Sequence, residues 1–278
     1  MNLPELQEHL FEMLCMFDEI CKKENIRYFL DSGAAIGAVR EHDFIPWDDD
    51  IDVAMIREDY EKLREVLPKH LPENYRLIEP MDYEPYFFDF FPKLIDLQTP
   101  LRKETEEDRK YYNFQNRASI DIVILDNAPD SKFLQEIMRL KCKMFYGMNM
   151  SKRVQFHDEK HSLMEKIVSR TCIFLGKMFS SKRLKQMYLN NTTSYSNKKT
   201  NFVIRSNSIL YFIGFYSKKY YEDTVYLDFH GRKFPLPGGY DAVLTQLYGD
   251  YMTPAKDYKG YIQHTDSEEN EGVEENAE

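Results

Sequence analysis

Hydrophobic positions recur along the chain at two spacings, which predict alternating helices and strands. Steps of three and four residues in the opening segment predict an amphipathic helix through Leu3, Leu6, Leu10, Met13, Phe17 and Ile20. Short apolar or alternating runs predict strands over 27–30, 51–56, 75–78, 87–95 and 120–125. Helical spacing falls between the first strands, at 34–40 and 57–66. This pattern predicts an α+β fold with a mixed β-sheet core and flanking helices.

The second half of the chain has a different pattern and is mostly helical. Helices are predicted over 132–148, 162–179, 182–189 and 240–247, and a β-hairpin over 225–229 and 232–236 around the turn His230-Gly231. We therefore divide the chain into a catalytic core (1–130), a helical region whose hairpin completes the site (131–265) and an acidic tail (266–278). The tail carries seven acids and no base, and we expect it to be disordered.

Composition narrows the class of protein. The 278 residues are 42% hydrophobic and 30% charged, which is typical of a globular protein and excludes collagenous and multi-span membrane classes. No apolar run is long enough to cross a bilayer, and the first residues do not resemble a secretory signal. The four cysteines are scattered, which predicts reduced thiols rather than a metal or redox site. We expect a cytoplasmic protein.

Charge is unevenly distributed. The net charge is -10, yet residues 132–200 hold fifteen Lys and Arg against four Asp and Glu. An apolar stripe crosses this basic region at Leu163, Ile167, Phe174 and Met178. Two interpretations stay open: an ordinary core helix with a solvated face, or a helix on the anionic inner face of the membrane. No nucleic-acid-binding motif accompanies the positive charge, so nucleic acid is not an expected partner.

The most informative stretch is an acidic cluster at residues 48–52. As part of a strand, Asp48, Asp50 and Asp52 would share one face, where carboxylates repel unless a cation lies among them. Oxygen ligands suit Mg²⁺ or Mn²⁺. A solvated acidic turn is the structural alternative. A calcium loop ending at Asp59 is excluded, because Val53 stands where that loop requires glycine.

Two further features favour a catalytic site. The turn Ser32-Gly33 follows a predicted strand, and Asp121 lies between isoleucines in a later strand. An unpaired carboxylate in an apolar strand is unfavourable unless a metal or an arginine compensates it. Turn, paired acids and a third acid on another strand are the parts of a nucleotidyltransferase-like site that binds Mg²⁺ and phosphates.

The same residues resemble the LicD family of phosphotransferases, which are similar to the fukutin-related enzymes. The resemblance rests on residues 33–40, on Phe44 to Asp52 with the string Pro-Trp-Asp-Asp-Asp-Ile-Asp, and on Asp59-Tyr60, Phe91 to Leu94, Ile120-Asp121, Tyr248 to Met252 and His264. The chain departs from the family pattern at Ala34, where a hydroxyl residue is usual. It departs again at Glu41, which separates Arg40 from His42.

The resemblance implies a transferase that moves phosphocholine from CDP-choline to a sugar hydroxyl and releases CMP. The acceptor would be a lipid-linked precursor of a cell-surface glycan, of the teichoic acid or lipopolysaccharide type. Alternatives are a CDP-ribitol, CDP-glycerol or nucleoside triphosphate donor, or a non-catalytic protein that the metal only stabilises. A panel of donors, with detection of CMP or pyrophosphate, would separate the possible donors. Metal-dependent melting without turnover of any donor would indicate the non-catalytic protein.

Roles follow for each candidate residue. Asp50, Asp52 and Asp121 are the predicted catalytic residues, and with Asp48 they are the predicted ligands of Mg²⁺ or Mn²⁺; Asp121 is also a candidate base. The predicted substrate-binding residues are Ser32, Gly33, Gly37, Arg40, Trp47, Lys93 and His264. Either glycine could instead serve helix packing, Lys93 could be an ordinary surface lysine, and Trp47 could stack on a base or pack.

Overall fold

A computed structural model describes residues 1–83, 87, 89–110, 116–152, 163–205 and 213–254. The chain forms two compact units, each built from separate segments. The first contains residues 1–78, 93–122 and those from 220 onward, and the second contains residues 79–92 and 123–219. The α-helices of the described residues are α1 (Leu3–Lys23), α2 (Ser32–Ile36), α3 (Arg57–His70), α4 (Glu106–Lys110), α5 (Lys132–Met150), α6 (Leu163–Gly176), α7 (Ser181–Thr192) and α8 (Tyr240–Tyr248).

The first unit is built on a sheet whose strands lie in the order β1-β2-β5-β4-β3. The bounds of these strands are β1 (Phe29–Asp31), β2 (Ile51–Ile56), β3 (Tyr75–Ile78), β4 (Lys93–Asp96) and β5 (Ser119–Ala128). β1 pairs antiparallel with β2, and β4 pairs antiparallel with both β3 and the start of β5. Helix α1 contributes a face of fully buried side chains, including Leu6, Leu10, Met13, Leu14 and Phe17.

Local sequence explains where α1 begins. Asn2 and Glu5 form a capping box, in which each side chain accepts a hydrogen bond from the other residue's backbone N–H. Pro4 stands in the first turn, where a missing N–H costs nothing. Lys22 and Lys23 in the last turn complement the helix dipole. The predicted opening helix is therefore confirmed.

A β-hairpin completes the first unit. β8 (Thr224–Phe229) pairs antiparallel with β9 (Arg232–Pro237), and His230-Gly231 forms the turn. Gly231 has φ +77°, the left-handed conformation that glycine adopts most easily. The hairpin tip is held by His230, whose Nδ1 lies 2.6 Å from Asp43 Oδ1 and whose Nε2 lies 3.1 Å from Glu8 Oε2. These contacts join the tip to α1 and to the loop before the acidic cluster.

The anchoring of the tip should depend on pH. Burial lowers the pKa of His230, but the hydrogen bonds and charges of Asp43 and Glu8 outweigh it and raise the pKa above its ordinary value. A raised pKa means that the stabilisation is complete below about pH 6.5 and is lost as the pH rises through the folded-state pKa. We expect His230→Asn, which tolerates the left-handed backbone at this position, to lower the melting temperature more at pH 5.5 than at pH 8.5. An equal loss at both pH values would contradict this assignment.

The second unit contains the rest of β5 and a helical layer. Residues 125–128 of β5 pair antiparallel with β6 (Phe202–Arg205), which pairs antiparallel with β7 (Gly214–Ser217). Its core is formed by side chains from these strands and from α5 and α7, together with Phe90 and Ile213. The residues from the strands and helices are Ala128, Met138, Cys142, Phe145, Met148, Leu184, Tyr188, Ile204 and Phe215. The fully buried Lys185 donates hydrogen bonds to the carbonyl oxygens of Pro80 and Phe87, which fixes these two residues against α7.

The α+β class predicted from the sequence is confirmed. The predicted strand 87–95 is shorter than expected, since β4 begins only at Lys93, after Pro92, which has no N–H for a ladder. Residue 88 of that run lies outside the described residues, as does the predicted acidic tail. In the described part of the chain, no helix combines the length and apolar character needed to span a membrane.

Candidate active site

The acidic cluster lies in a turn that leads into β2. The strand begins at Ile51, so of the three alternating acids only Asp52 lies within it. Asp48 and Asp50 precede the strand, so the prediction that Asp48, Asp50 and Asp52 share one strand face is wrong for both of them. Residues 45–48 form a turn, in which the Asp48 N–H donates a hydrogen bond to the Ile45 carbonyl oxygen at 2.9 Å.

A side chain of helix α1 is hydrogen-bonded to this turn. The side-chain amide of Gln7 donates to the carbonyl oxygens of Asp48 at 2.9 Å and Ile45 at 3.3 Å. Both ends of the turn are thus fixed by one side chain on the first helix. Gln7 is a positioning residue that the sequence analysis missed, because its partner backbone lies far away in the chain.

The carboxylate of Asp48 lies in an unfavourable environment. Its Oδ2 atom is buried and has no hydrogen-bond partner in the structure. Burial raises the pKa of Asp48 well above its usual range, and the nearby charges of Asp50 and Asp49 raise it further. A buried carboxylate oxygen without a donor is unfavourable by about 1–3 kcal/mol. The electrostatics of the turn therefore favour a cation or a proton at Asp48.

The turn Ser32-Gly33 lies directly against this carboxylate. A Cβ atom added to Gly33 would lie 2.3 Å from Oδ2 and 2.9 Å from Oδ1 of Asp48. Only glycine lets the two segments approach this closely. Ser32 is buried and has φ +47°, an unfavourable backbone conformation of the kind that occurs at functional sites. The structure thus brings the predicted turn and the first predicted acid together.

A further carboxylate that the sequence analysis did not single out lies beside Asp52. Asp31, the last residue of β1, is the register partner of Asp52 in the antiparallel pair, so the two side chains are on the same face. Asp31 is buried, with 4% of its surface exposed. The signal in the sequence was an acid that ends an apolar strand just before Ser32-Gly33. Like charges directly opposite each other add to the negative potential of this face.

Asp121 and Lys93 form an ion pair with each other. They are register partners on β5 and β4, and Lys93 Nζ lies 2.8 Å from Asp121 Oδ2. Ser119 Oγ donates to Asp121 Oδ1 at 3.1 Å. The charge that compensates the carboxylate in this apolar strand is therefore a lysine. β5 lies next to β2 in the sheet, so Asp121 and Asp52 occupy neighbouring strands.

Removing the Lys93 charge should destabilise the folded protein, because Asp121 would then be buried without its counter-ion. Their side chains are only 14% and 10% exposed, and breaking a buried pair by removing one partner is unfavourable by about 3–5 kcal/mol. We expect Lys93→Met to lower the free energy of unfolding by that order, and Lys93→Met with Asp121→Asn to recover most of the loss. Urea unfolding of the wild type, both single variants and the double variant measures this cycle. Additive effects would show that the two charges are not coupled.

Other predicted substrate-binding residues have structural contacts. Arg40 donates from Nε to Glu41 at 2.6 Å and from Nη1 to the Tyr251 carbonyl at 2.7 Å, and so joins the π-helical turn Gly37–Glu41 to the end of the described chain. A Cβ on Gly37 would lie 2.4 Å from the Asp43 carbonyl oxygen, a contact that fits the packing alternative. Trp47 is half-buried in the acidic turn. His264 lies outside the described residues.

The carboxylates are not assembled into a closed metal centre. Within the described ranges, no three or more His, Cys, Asp and Glu side chains are grouped closely enough to hold a metal ion by themselves. Mg²⁺ is commonly bound by only one or two protein carboxylates, with water and substrate phosphates as its other ligands. The arrangement is compatible with an ion that enters together with a phosphate-containing substrate.

Comparison with known proteins agrees with the resemblance seen in the sequence. Residues 25–91, which include the Ser32-Gly33 turn and the acidic cluster, match the family model of the LicD/FKTN/FKRP nucleotidyltransferase domain. The chain is 29% identical over 265 residues to the lipopolysaccharide cholinephosphotransferase LicD of Haemophilus influenzae, covering 93% of this chain and 95% of that protein.

Two shorter matches fall on other bacterial proteins. Uncharacterised proteins of Rickettsia typhi and Rickettsia prowazekii are 35% identical over 68 residues and 38% identical over 60 residues, respectively. These matches cover 24% and 22% of this chain, and 22% and 23% of the Rickettsia proteins. The family model and the long match to LicD together confirm the predicted resemblance to the LicD family.

Proposed function

We propose that this chain, of which residues 25–91 match the LicD/FKTN/FKRP nucleotidyltransferase domain, is a transferase that moves phosphocholine from CDP-choline to a sugar hydroxyl of a cell-surface glycan precursor. The observation that carries this proposal is the similarity to the Haemophilus cholinephosphotransferase, which extends over nearly the whole length of both chains. The geometry supports it with a buried, unsatisfied carboxylate oxygen at Asp48, in the segment that matches the family model.

A divalent cation fits the residues of this site. Asp50 and Asp52 would hold Mg²⁺ or Mn²⁺, with Asp48 close by, since carboxylate oxygens are the ligands that these ions prefer. The unsatisfied Oδ2 of Asp48 supports this fit, because a cation would compensate it. When bound, the ion would neutralise negative charge on the diphosphate of the donor.

The chain's own residues would orient the reactants and accept a proton. In the proposed step, the acceptor oxygen bonds to the phosphorus that carries choline, and the bond from that phosphorus to the bridging oxygen of CMP breaks. The hydroxyl proton would pass to the carboxylate of Asp121, which can accept hydrogen bonds beyond those from Lys93 and Ser119. Lys93, whose Nζ lies 2.8 Å from Asp121 Oδ2, would hold that carboxylate in position.

A panel of donors tests this function. We expect the purified protein with Mg²⁺ and a choline-accepting glycan to release CMP from CDP-choline, and mass spectrometry to find phosphocholine on the glycan. CDP-ribitol, CDP-glycerol and CTP serve as competing donors. CMP release from another CDP-alcohol alone would replace choline in the proposal, whereas pyrophosphate release from CTP would indicate nucleotidyl transfer. Asp50→Asn is the negative control, and full activity of that variant would contradict the assigned site.

A further inference from the structure

Helix α5 in the second unit carries two apolar faces, of which only one belongs to the core. Its inner face holds Met138, Cys142 and Phe145, which are buried in the core of that unit. The opposite face carries Phe133, Ile137, Leu140 and Met144 at positions i, i+4, i+7 and i+11, a spacing that places them in one stripe. Phe133 and Leu140 are 73% and 69% exposed. An ordinary amphipathic helix has polar residues on this side.

Helix α6 also has an exposed apolar face. Ile167 and Phe174 lie seven residues apart, on one face, and are 54% and 69% exposed. Met178, just after the helix, is exposed as well. The core-helix interpretation of this apolar stripe is therefore wrong for these three side chains, although Cys172 and Leu175 of the same segment do pack against the core. Leu163 begins the helix, and its side chain is outside the described set.

Basic side chains flank both stripes. On α5, Lys132, Lys141 and Lys143 are exposed, and Glu136 is the only acid of the helix. On the second segment, Arg170 and Lys177 are exposed beside Phe174. Because protein–protein interfaces are depleted in lysine, this combination is unusual for a surface that binds another protein. Bulky apolar side chains flanked by Lys and Arg are instead typical of helices that lie in the interface of an anionic bilayer.

We propose that the outer faces of α5 and α6 bind an anionic membrane surface. Phe133, Leu140 and Phe174 enter the boundary between headgroups and acyl chains, and the flanking lysines contact the lipid phosphates. Charge complementarity selects this occupant, since the chain as a whole is acidic while residues 132–200 carry an excess of eleven positive charges. The inference rests on the second unit alone and does not depend on the chemistry proposed for the first.

Vesicle co-sedimentation of the full chain tests the proposal. We expect binding to phosphatidylglycerol vesicles at 0.1 M salt and at least tenfold weaker binding to phosphatidylcholine vesicles. Raising the salt to 0.5 M should strongly weaken binding to the phosphatidylglycerol vesicles. Phe133→Ser with Leu140→Ser should weaken binding at least tenfold, as should Lys141→Glu with Lys143→Glu. The matched control is Tyr226→Ser with Met252→Ser, which replaces two exposed apolar residues of the first unit and should leave binding unchanged.

Several results would overturn the proposal. One is wild-type protein that stays in solution with phosphatidylglycerol vesicles, and another is either α5 variant binding as tightly as the wild type. Analytical ultracentrifugation distinguishes a second copy of the chain as occupant: a dimer that Phe133→Ser with Leu140→Ser dissociates, without vesicle binding, would assign this face to self-association. Circular dichroism checks that the variants are folded. CMP release with a soluble acceptor should be unchanged in both α5 variants, so failure of this proposal is distinguishable from failure of the proposed function.

Discussion

Asp48→Asn is expected to make the protein more stable and much less active. The substitution keeps the size of the side chain but removes a charge whose Oδ2 is buried without a partner. Because folding raises the pKa of Asp48, its ionisation at neutral pH destabilises the folded state. We expect the free energy of unfolding at pH 7 to rise by about 1–3 kcal/mol. Transfer should fall on the order of 100-fold to 1,000-fold, since the site loses charge that its cation requires.

Urea unfolding and CMP release, measured on the same preparations, check both halves of this prediction. Unfolding is measured with a chelator present, so that bound metal does not stabilise the wild type. The stability gain should shrink as the pH falls through the raised pKa of Asp48 and the wild-type carboxyl becomes protonated. Asp228→Asn, at an exposed position of β8, is the control outside the acidic cluster. A variant less stable than the wild type at pH 7 would show that the Asp48 charge is already compensated.

Gly33→Ala is expected to reduce transfer by about 100-fold with little loss of stability. The added methyl group would lie 2.3 Å from the Asp48 carboxylate, which must therefore move. Displacement of a reacting group by about 1 Å is enough for an effect of this size. The carboxylate ends a rotatable side chain, so the backbone can stay in place while the geometry of the site is lost.

Gly37→Ala provides the contrast, since its added methyl would meet the backbone carbonyl of Asp43 at 2.4 Å. Backbone cannot rotate away, and Phe229 of the hairpin lies at 3.2 Å from the same position. We expect this variant to lose stability by about 1–3 kcal/mol, the usual range for overpacking. Thermal melting and CMP release of both variants separate the two roles. Equal losses of stability in both would show that Gly33 is a packing residue as well.

Patterns that depend on neighbouring residues were predicted well. The strand over Ile51–Ile56 has its predicted bounds, and the opening helix and the hairpin are present because periodicity and turn chemistry are local properties. The acidic cluster and the Ser32-Gly33 turn could also be found from sequence, because the residue types by themselves indicate their chemistry. Their close contact through Gly33 required the structure.

Features that depend on distant residues were missed. β6 and β7 were not predicted, and the pairing of β6 with β5 joins segments that are far apart in the chain. The pairing of Lys93 with Asp121 and the position of Asp31 opposite Asp52 are set by strand register, which no local pattern reveals. The same limit applies to Gln7, whose amide holds a turn about forty residues away.

A crystal structure with Mn²⁺ and CDP-choline tests the central claim most directly, because anomalous scattering locates the ion without assumptions about its ligands. We expect an anomalous peak between the carboxylates of Asp50 and Asp52, in contact with the donor's diphosphate, and Asp121 facing the phosphorus that carries choline. A donor bound elsewhere on the chain, or an ion that contacts neither aspartate, would contradict the account.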